Sequence, residues 1–232
     1  MLLVYYALIL GASNTTLRNQ ISHATYYDRY PHVFAEVHRL SKALMHDRVP
    51  KILSFGSSTG LEAVTLSRYF HASIIVGADV DDQTLSAARD TCAQANVSDR
   101  CFFFNDEKMP LDSLGMYDIV FANSVLCRHP WDHNRTAADW YPFERFQETI
   151  KKLNQVLREG GILVMINTNY RFDDTSVARA YRTAPVGNCT RNRVPLFTPA
   201  GGHLPPRDVC VFTKRHVTYA PLYAPRSIHG QL

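Results

Sequence analysis

The sequence lacks the patterns that would place it in several common functional classes. Its cysteines include no C-x-x-C pair, so no zinc ribbon or dithiol redox site is indicated, and buried thiols are the expected state. The net charge of +4 comes from scattered cations rather than from a basic run, so there is no clear nucleic-acid signal. No apolar run is long enough to span a bilayer, and no internal repeat is present.

The N-terminus leaves two compartments open. Met1–Leu10 is apolar and precedes Gly11-Ala12-Ser13, a pattern similar to a short signal-peptide core with its cleavage site, but no Lys or Arg comes before it. N-x-[ST] sequons occur at Asn14, Asn96, Asn134 and Asn188. We predict a cytoplasmic protein, with the secretory pathway as the alternative if Met1–Ser13 is a signal peptide.

What the sequence does contain is an alternation of apolar runs and amphipathic segments, typical of one α/β domain. Strands are predicted at Ile52–Phe55, Ile74–Asp79, Cys101–Phe104, Tyr117–Ala122 and Ile162–Ile166. Helices are predicted at Pro31–Leu44, after Gly60, from Asp81-Asp82 to about Ala95, and at Phe146–Leu157, where Gly160-Gly161 would stop the last one. This order predicts a Rossmann-like, mostly parallel, doubly wound sheet.

The C-terminal part has a different character. Val194–Thr198 and Val209–Thr213 are predicted to form an antiparallel hairpin at the edge of the sheet. We expect an N-terminal segment with the leading helix over residues 1–45, a main domain over 46–215 and a C-terminal tail over 216–232.

The most informative segment is Lys51–Phe70, KILSFGSSTGLEAVTLSRYF. Gly56 and Gly60 allow a sharp turn and close approach of a ligand to the backbone, and the following helix N-terminus offers unpaired N–H groups. Asp79 ends the next strand, where a carboxylate can accept both ribose hydroxyls. Each feature alone fits an ordinary turn or strand end. Their order and spacing together indicate a nucleoside site.

Five segments then carry a family resemblance: ILSFGSSTGLEA, IIVGADVDDQTL, FFFNDEKMP, YDIVFANSVL and LREGGILVMIN. Over about residues 30 to 214 the chain resembles a class I S-adenosylmethionine-dependent methyltransferase. Its first loop is similar to the A-x-S-T-G-E-E loop of the chemotaxis-receptor methyltransferases, except that Leu61 stands in the place of the first Glu. The resemblance implies the fold and S-adenosyl-L-methionine as cofactor, and does not extend to a protein-glutamate substrate.

The resemblance also implies a set of cofactor-binding residues. The set comprises Gly56, Ser57, Ser58, Gly60 and Glu62 at the methionine end, Asp79 at the ribose, Val80, Asn105 and Asp106 at the adenine, and Ser124 and Val125 beside the sulfonium. S-adenosylmethionine carries its own leaving group, so catalysis needs alignment and exclusion of water more than a catalytic triad.

Few residues are candidates for further chemistry. His129 follows the fourth strand and is the candidate general base, although a loop histidine bonded to the backbone is the simpler interpretation. The cluster His129, Asp132 and His133 contains a helix-breaking proline and has no further ligand, so no metal is predicted. Tyr26, Tyr27 and Arg29 are candidates to fold over the cofactor from the N-terminal side, although packing is the simpler interpretation for Tyr26, Tyr27 and Tyr30.

The sequence therefore predicts an S-adenosylmethionine-dependent methyltransferase acting on an unidentified methyl acceptor, either a small molecule or a protein side chain. A non-catalytic nucleoside-cofactor-binding protein of the same fold is the alternative. A nicotinamide-dependent oxidoreductase is less favoured, because SSTGLE lacks the glycine spacing that a pyrophosphate requires. No motif indicates the acceptor atom or the oligomeric state.

Overall fold

The computed structural model of the protein describes residues 25–46, 48–128, 139, 141–184, 186 and 193–216. The apolar run Met1–Ser13, the sequons at Asn14, Asn134 and Asn188, and the predicted tail beyond residue 216 lie outside the described residues. His129, Asp132 and His133 lie outside them as well.

The described elements alternate as the sequence predicts. The helices are α1 (Pro31–Met45), α2 (Leu61–Tyr69), α3 (Asp82–Gln94) and α4 (Phe143–Val156). The strands are β1 (Ile52–Phe55), β2 (Ile75–Asp79), β3 (Cys101–Asn105), β4 (Tyr117–Asn123), β5 (Leu157–Ile166), β6 (Tyr181–Thr183), β7 (Leu196–Phe197), β8 (His203–Leu204) and β9 (Val211–Lys214).

One seven-stranded sheet has the strand order 3-2-1-4-5-9-6. Strands β1 to β5 are parallel, and β9 runs antiparallel to both β5 and β6. The predicted Rossmann-like α/β fold with an antiparallel pair at its edge is confirmed. The partners in that pair differ from the predicted ones, because Leu196–Phe197 pairs with His203–Leu204 in a separate small sheet, and Tyr181–Thr183 pairs with β9.

The sheet is buried on both faces. Helices α1, α2 and α3 contribute to the apolar cluster on one face, and α4 contributes to the cluster on the other. This explains why β4 is apolar almost throughout and buried along its whole length. In α1 the buried side includes Phe34, Val37 and Ser41 as predicted, but Met45 is buried and Leu44 is exposed.

Helix α4 ends in a different way from the predicted glycine stop. It ends at Val156, and β5 begins at the next residue. The Lys214 ammonium on β9 donates hydrogen bonds to the carbonyls of Asn154 (2.6 Å) and Leu157 (2.8 Å), which satisfies acceptors at the helix end. Gly160, with φ of +73°, lies where the pairing register between β4 and β5 shifts.

The cysteines are in two states. Cys92, Cys101 and Cys127 are buried free thiols, whereas Cys210 is disulfide-bonded, so the expectation of buried thiols is wrong at that position. Among the described residues, no helix combines the length and apolar character needed to cross a membrane.

Asp118 anchors the amino end of β4, away from the carboxyl ends of the strands. Arg48 and Arg158 donate to its carboxylate at 2.7 and 3.0 Å, and the Lys51 amide donates at 2.8 Å. Burial alone would raise the pKa of Asp118, but these donors outweigh it and hold the pKa below its usual value. The ionised carboxylate therefore stabilises the fold.

We expect Asp118→Ala to lower the free energy of unfolding by about 2 kcal/mol at neutral pH, because several donors to a buried carboxylate lose their acceptor. A group with a lowered pKa stabilises the protein above its unfolded-state pKa, and that contribution is lost as the pH falls through the folded-state value. Urea titrations should therefore show the gap between wild type and variant closing in acid. Asp173→Ala, which removes a surface ion pair with Arg207, is the control and should change little. A gap that does not depend on pH would contradict this account.

Candidate functional site

A cavity of about 1170 Å³ opens at the carboxyl ends of the central strands. Nine of the residues predicted to bind a cofactor line it: Gly56, Ser57, Ser58, Glu62, Asp79, Val80, Asp106, Ser124 and Val125. Gly60 and Asn105 do not line it, and His129 lies outside the described residues. The structure thus brings most of the predicted set to one place, and the binding role of each residue stays a prediction.

The loop after β1 is fixed tightly to the end of β2. The amides of Gly56 and Ser57 both donate to the Ala78 carbonyl, at 2.8 and 3.0 Å. Gly56 has φ of +72°, and a Cβ at this position would lie 2.4 Å from Cγ2 of Val125. Glycine is therefore required here for both conformation and space.

Gly60 precedes the first residue of α2 and has a structural role there. It is the N-cap residue, with φ of +82°, and a Cβ there would lie 2.9 Å from the Ala88 carbonyl on α3. Its small size lets α2 and α3 pack closely, which orients the α2 N-terminus. This places Gly60 behind the cavity wall rather than on it.

Asp79 organises the loop as well as lining the cavity. One carboxylate oxygen accepts from the Ser58 amide (2.9 Å), and the other accepts from the amides of Val80 (2.9 Å) and Asp81 (3.3 Å). These bonds hold Ser58 in the left-handed region, at φ of +49°. Replacing Asp79 therefore affects the conformation of the loop directly.

Asn105 and Asp106 have different surroundings although they are adjacent. The Asn105 amide donates to the Val80 carbonyl and to Asp82, both at 3.0 Å, and its oxygen accepts from the Glu107 amide. Asn105 thus ties the end of β3 to the start of α3. Asp106 instead lines the cavity, where burial, followed by the charge of Asp79, raises its pKa to about 6.

If Asp106 accepts a hydrogen bond from the adenine amino group, cofactor affinity should depend on its ionisation. The charged form is populated above a pKa of about 6. We expect the affinity for S-adenosylhomocysteine to fall by about tenfold as the pH drops from 7.5 to 5, since a hydrogen bond to a charged acceptor is lost. Calorimetric titration across this range measures it, and Asp106→Asn should remove the pH step. A step that persists in the variant would assign it to another group.

Glu62 lies at the start of α2, on the cavity wall. Its carboxylate accepts from the Ser54 hydroxyl (2.7 Å) and from the Asn123 amide (2.9 Å), which connects the ends of β1 and β4. Burial raises the pKa of Glu62, while these hydrogen bonds and the Arg29 charge oppose the rise. The side chain is thereby fixed in one orientation.

A further polar cluster joins the ends of β4 and β5 to the N-terminal segment. The hydroxyls of Tyr30 and Ser124 share a 2.8 Å hydrogen bond, and the Asn167 amide donates to both, at 3.1 and 2.9 Å. Ser124 and Asn167 have φ of +57° and +58°, a costly conformation for residues other than glycine. Such strain at the rim of a cavity is typical of functional sites.

The sequence analysis missed several residues at this site. Asn123 and Asn167 close two apolar strands, and that position alone could have drawn attention to them. One side of α4 also lines the cavity, although the sequence analysis gave this helix no part in the site. Its cavity-lining residues are Arg145, Glu148, Thr149, Lys152, Gln155 and Val156.

Cys127 is not suited to act as a nucleophile. It is buried after β4, and burial raises the pKa of its thiol to about 12. Since the thiolate is the reactive form, a thiol in this environment is inert. This agrees with the buried thiols that the sequence analysis expects.

Comparison with protein families finds a match over the part of the chain that carries this site. Residues 53–165 match the sequence model of a family described as Methyltransferase domain. This span runs from β1 to β5 and contains every predicted cofactor-binding residue. Over this span the chain is similar to methyltransferase domains, and this similarity supports S-adenosylmethionine as the cofactor.

Solved structures give weaker similarities. TrmN from Thermus thermophilus is 16% identical, with a TM-score of 0.49 over 81% of this chain and 52% of its own. An O-methyltransferase family 2 protein from Planctomyces limnophilus, in complex with apigenin, is 19% identical with a TM-score of 0.41, covering 56% and 36%. PKMT2 from Rickettsia typhi, in complex with AdoHcy, is 19% identical with a TM-score of 0.41, covering 50% and 20%.

The chain spans about half or less of the length of these solved structures. Among curated proteins no sequence matches it. The similarities therefore carry no information about an acceptor. The detailed likeness of the first loop to the chemotaxis-receptor enzymes stays a prediction.

Proposed function

We propose that this protein transfers the methyl group of S-adenosylmethionine to a small molecule or to a protein side chain. The observation that carries the proposal is the single cavity in which the glycine loop, Glu62, Asp79 and Ser124 meet, at the carboxyl ends of β1, β2 and β4. In open α/β sheets this edge is where nucleoside-containing ligands bind. The family match of the same span supports the reaction class.

The cavity wall contains polar atoms that fit such a cofactor. The Ser57 hydroxyl and the Asn123 carbonyl oxygen are buried and have no hydrogen-bond partner among the described residues. Both residues line the cavity. Buried polar groups without partners are costly, so these two atoms favour a ligand that hydrogen-bonds to them.

In this proposal, the residues of the protein contribute to the reaction by positioning the cofactor. The methyl group leaves a positively charged sulfur, so the cofactor itself supplies the leaving group. Gly56 lets a ligand approach the loop backbone closely, and Asp79 fixes the loop through the Ser58 amide. Ser124, which the resemblance implies beside the sulfonium, is held by hydrogen bonds with Tyr30 and Asn167.

Alignment of the acceptor with the methyl group can supply most of the rate enhancement. An acceptor hydroxyl or ammonium also requires a base to remove its proton. His129 remains our prediction for that role, and it lies outside the described residues.

The experiment uses S-adenosylmethionine labelled in its methyl group. The protein is incubated with pools of small molecules and, separately, of proteins, and label transferred to either pool is counted. Transfer that requires the wild-type glycine loop, with Gly56→Ala as the inactive control, would support the proposal. Cofactor binding without transfer to any pool would favour the non-catalytic alternative.

The disulfide bond of Cys210 helps to choose between the cytoplasm and the secretory pathway as the location of the protein. Disulfides persist in oxidising compartments and are rare in the cytosol. This favours the secretory alternative over the cytoplasmic prediction. The disulfide can be tested by isolating the protein from its native source, unfolding it and alkylating its thiols before and after reduction. If all cysteines react before reduction, the cytoplasmic assignment is restored.

A further inference from the structure

One face of the sheet lacks the helix that usually covers it between β3 and β4. Parallel strands are normally joined by a crossover that contains an α-helix packed on the sheet. The connection from β3 to β4, all of which is described, contains only a short 3-10 helix, Leu111–Leu114, on the face that α4 covers. The amino ends of β1, β2 and β3 are therefore left uncovered on that face.

Four large apolar side chains at these strand ends form one exposed surface, here called the apolar patch. Its members are Val49, Ile74, Phe102 and Leu114, which are between 38% and 52% exposed. Phe102 pairs with Val76 in the ladder of β2 and β3, and Ile74 precedes Val76 by two positions, so all three side chains lie on the same face. Val76 belongs to the apolar cluster of α4, which identifies this face as the α4 face.

Lys51 connects the other two members to this surface. The residue after Lys51 donates from its amide to the Ile74 carbonyl at 2.9 Å, and the Lys51 ammonium donates to the Leu114 carbonyl. Val49 precedes Pro50, which favours an extended backbone, so Val49 and Lys51 lie on the same face. Several adjacent exposed apolar side chains are typical of an interaction site.

We propose that the apolar patch is the docking site of the C-terminal residues of the same chain, 217–232, which lie outside the described residues. The last described residue, His216, packs against Gly160 near the amino end of β5. Lys214 donates to the carbonyls at the end of α4, so the chain leaves the sheet on the α4 face. It leaves at the same edge of the sheet as the patch. This inference does not depend on the proposed function.

Residues 217–232 are long enough to reach the apolar patch. In the sheet order, β5 is two strands from β1 and four strands from β3. At about 4.8 Å per strand, the far side of the patch is about 19 Å from β5. About six extended residues cover this distance, and residues 217–232 provide more than twice as many. The N-terminal segment enters the structure at the opposite edge, because Thr25 lines the cavity at the carboxyl ends of the strands.

The composition of residues 217–232 also matches the patch. The large apolar residues in this segment are Val217, Tyr219, Leu222, Tyr223 and Ile228. Pro221 and Pro225 favour an extended chain, which can lie across strand ends, over a helix. The segment contains Arg226 and no acidic residue, whereas Asp112 lies in the same 3-10 helix as Leu114 and forms no ion pair with another described residue. The charges of segment and patch are therefore complementary.

The test uses the full chain with the photo-crosslinking residue p-benzoylphenylalanine in place of Phe102, which keeps an aromatic side chain at the patch. After irradiation, mass spectrometry of the digest should show a crosslink within one molecule between position 102 and residues 217–232. The same probe in place of Leu44 is the matched control, because Leu44 is 43% exposed but lies on α1, on the other face of the sheet. It should give no such crosslink.

The other outcomes overturn the proposal. Crosslinks that join two molecules would show that a second copy of the chain covers the patch. Crosslinks from position 102 to the N-terminal segment, or none to residues 217–232, would also contradict the assignment.

Unfolding in urea gives a second measurement on the full chain. Phe102→Ser and the pair Leu222→Ser with Tyr223→Ser should each lower the urea midpoint. Combined, they should lower it by less than the sum, because both remove the same contact. Leu44→Ser is the control, and its effect should add to that of the C-terminal pair. Additive effects for Phe102→Ser and the C-terminal pair would overturn the proposal.

Discussion

Gly56→Ala is expected to weaken S-adenosylhomocysteine binding by at least about 100-fold, because misplacing a binding loop by about 1 Å has effects of this size. The added Cβ would lie 2.4 Å from Cγ2 and 2.6 Å from Cβ of Val125, which is closer than such atoms can approach. The backbone at Gly56 also has φ of +72°, so alanine is strained there whatever the space. The loop must shift, and its amides leave their positions. Calorimetric titration measures the loss.

Gly115→Ala is the matched control for Gly56→Ala. Gly115 has a similar φ of +80°, but a Cβ there would have no heavy atom within 4 Å. Both substitutions therefore impose backbone strain, and only that at Gly56 adds a clash at the cavity. Both variants should stay folded by circular dichroism, and only Gly56→Ala should lose the ligand. Comparable binding by both variants would show that the loop is not part of the binding site.

Asp79→Ala is expected to have an effect of similar size on binding. It removes the carboxylate predicted to accept the ribose hydroxyls, and it also removes the acceptor of the Ser58, Val80 and Asp81 amides. We expect affinity for S-adenosylhomocysteine to fall by about 100-fold and the free energy of unfolding to fall by about 2 kcal/mol, given the usual cost of hydrogen bonds to a buried charge. Titration and urea unfolding measure the two effects.

Asp79→Asn separates the two roles of the carboxylate. It keeps one oxygen acceptor, so it should recover part of the stability while binding stays weak. Asp90→Ala, at an exposed position on α3, is the neutral control. An Asp79→Ala variant that binds with wild-type affinity would contradict the ribose assignment.

Local patterns were enough to predict the sheet and the main wall of the cavity. The apolar runs, the glycine turn and Asp79 depend on residues close together in sequence, and parallel strands bring their carboxyl ends to one edge. Asn105 and Asp106 show where local patterns stop being sufficient. Successive residues leaving a strand point to opposite sides, so two adjacent polar residues cannot be assumed to share a ligand.

The remaining features depend on long-range contacts. Tyr30 and Asn167 are 137 positions apart in sequence and form a hydrogen bond. No local sequence pattern could have predicted this contact. Carbonyls at the end of α4 accept hydrogen bonds from Lys214, which lies about sixty residues further along the chain. Strand β9 does not pair with the nearby segment at 196–197. It pairs with β5 and β6 and so continues the large sheet. These partners are decided by packing of the whole domain.

The measurement that tests the central claim most directly is calorimetric titration of the full-length wild-type protein with S-adenosylhomocysteine, with NAD as the control ligand. The account predicts saturable binding of S-adenosylhomocysteine and none of NAD, since the loop around Gly56 and Ser58 has no second glycine placed for a pyrophosphate. A folded sample that fails to bind S-adenosylhomocysteine, or that binds NAD more tightly, would contradict it.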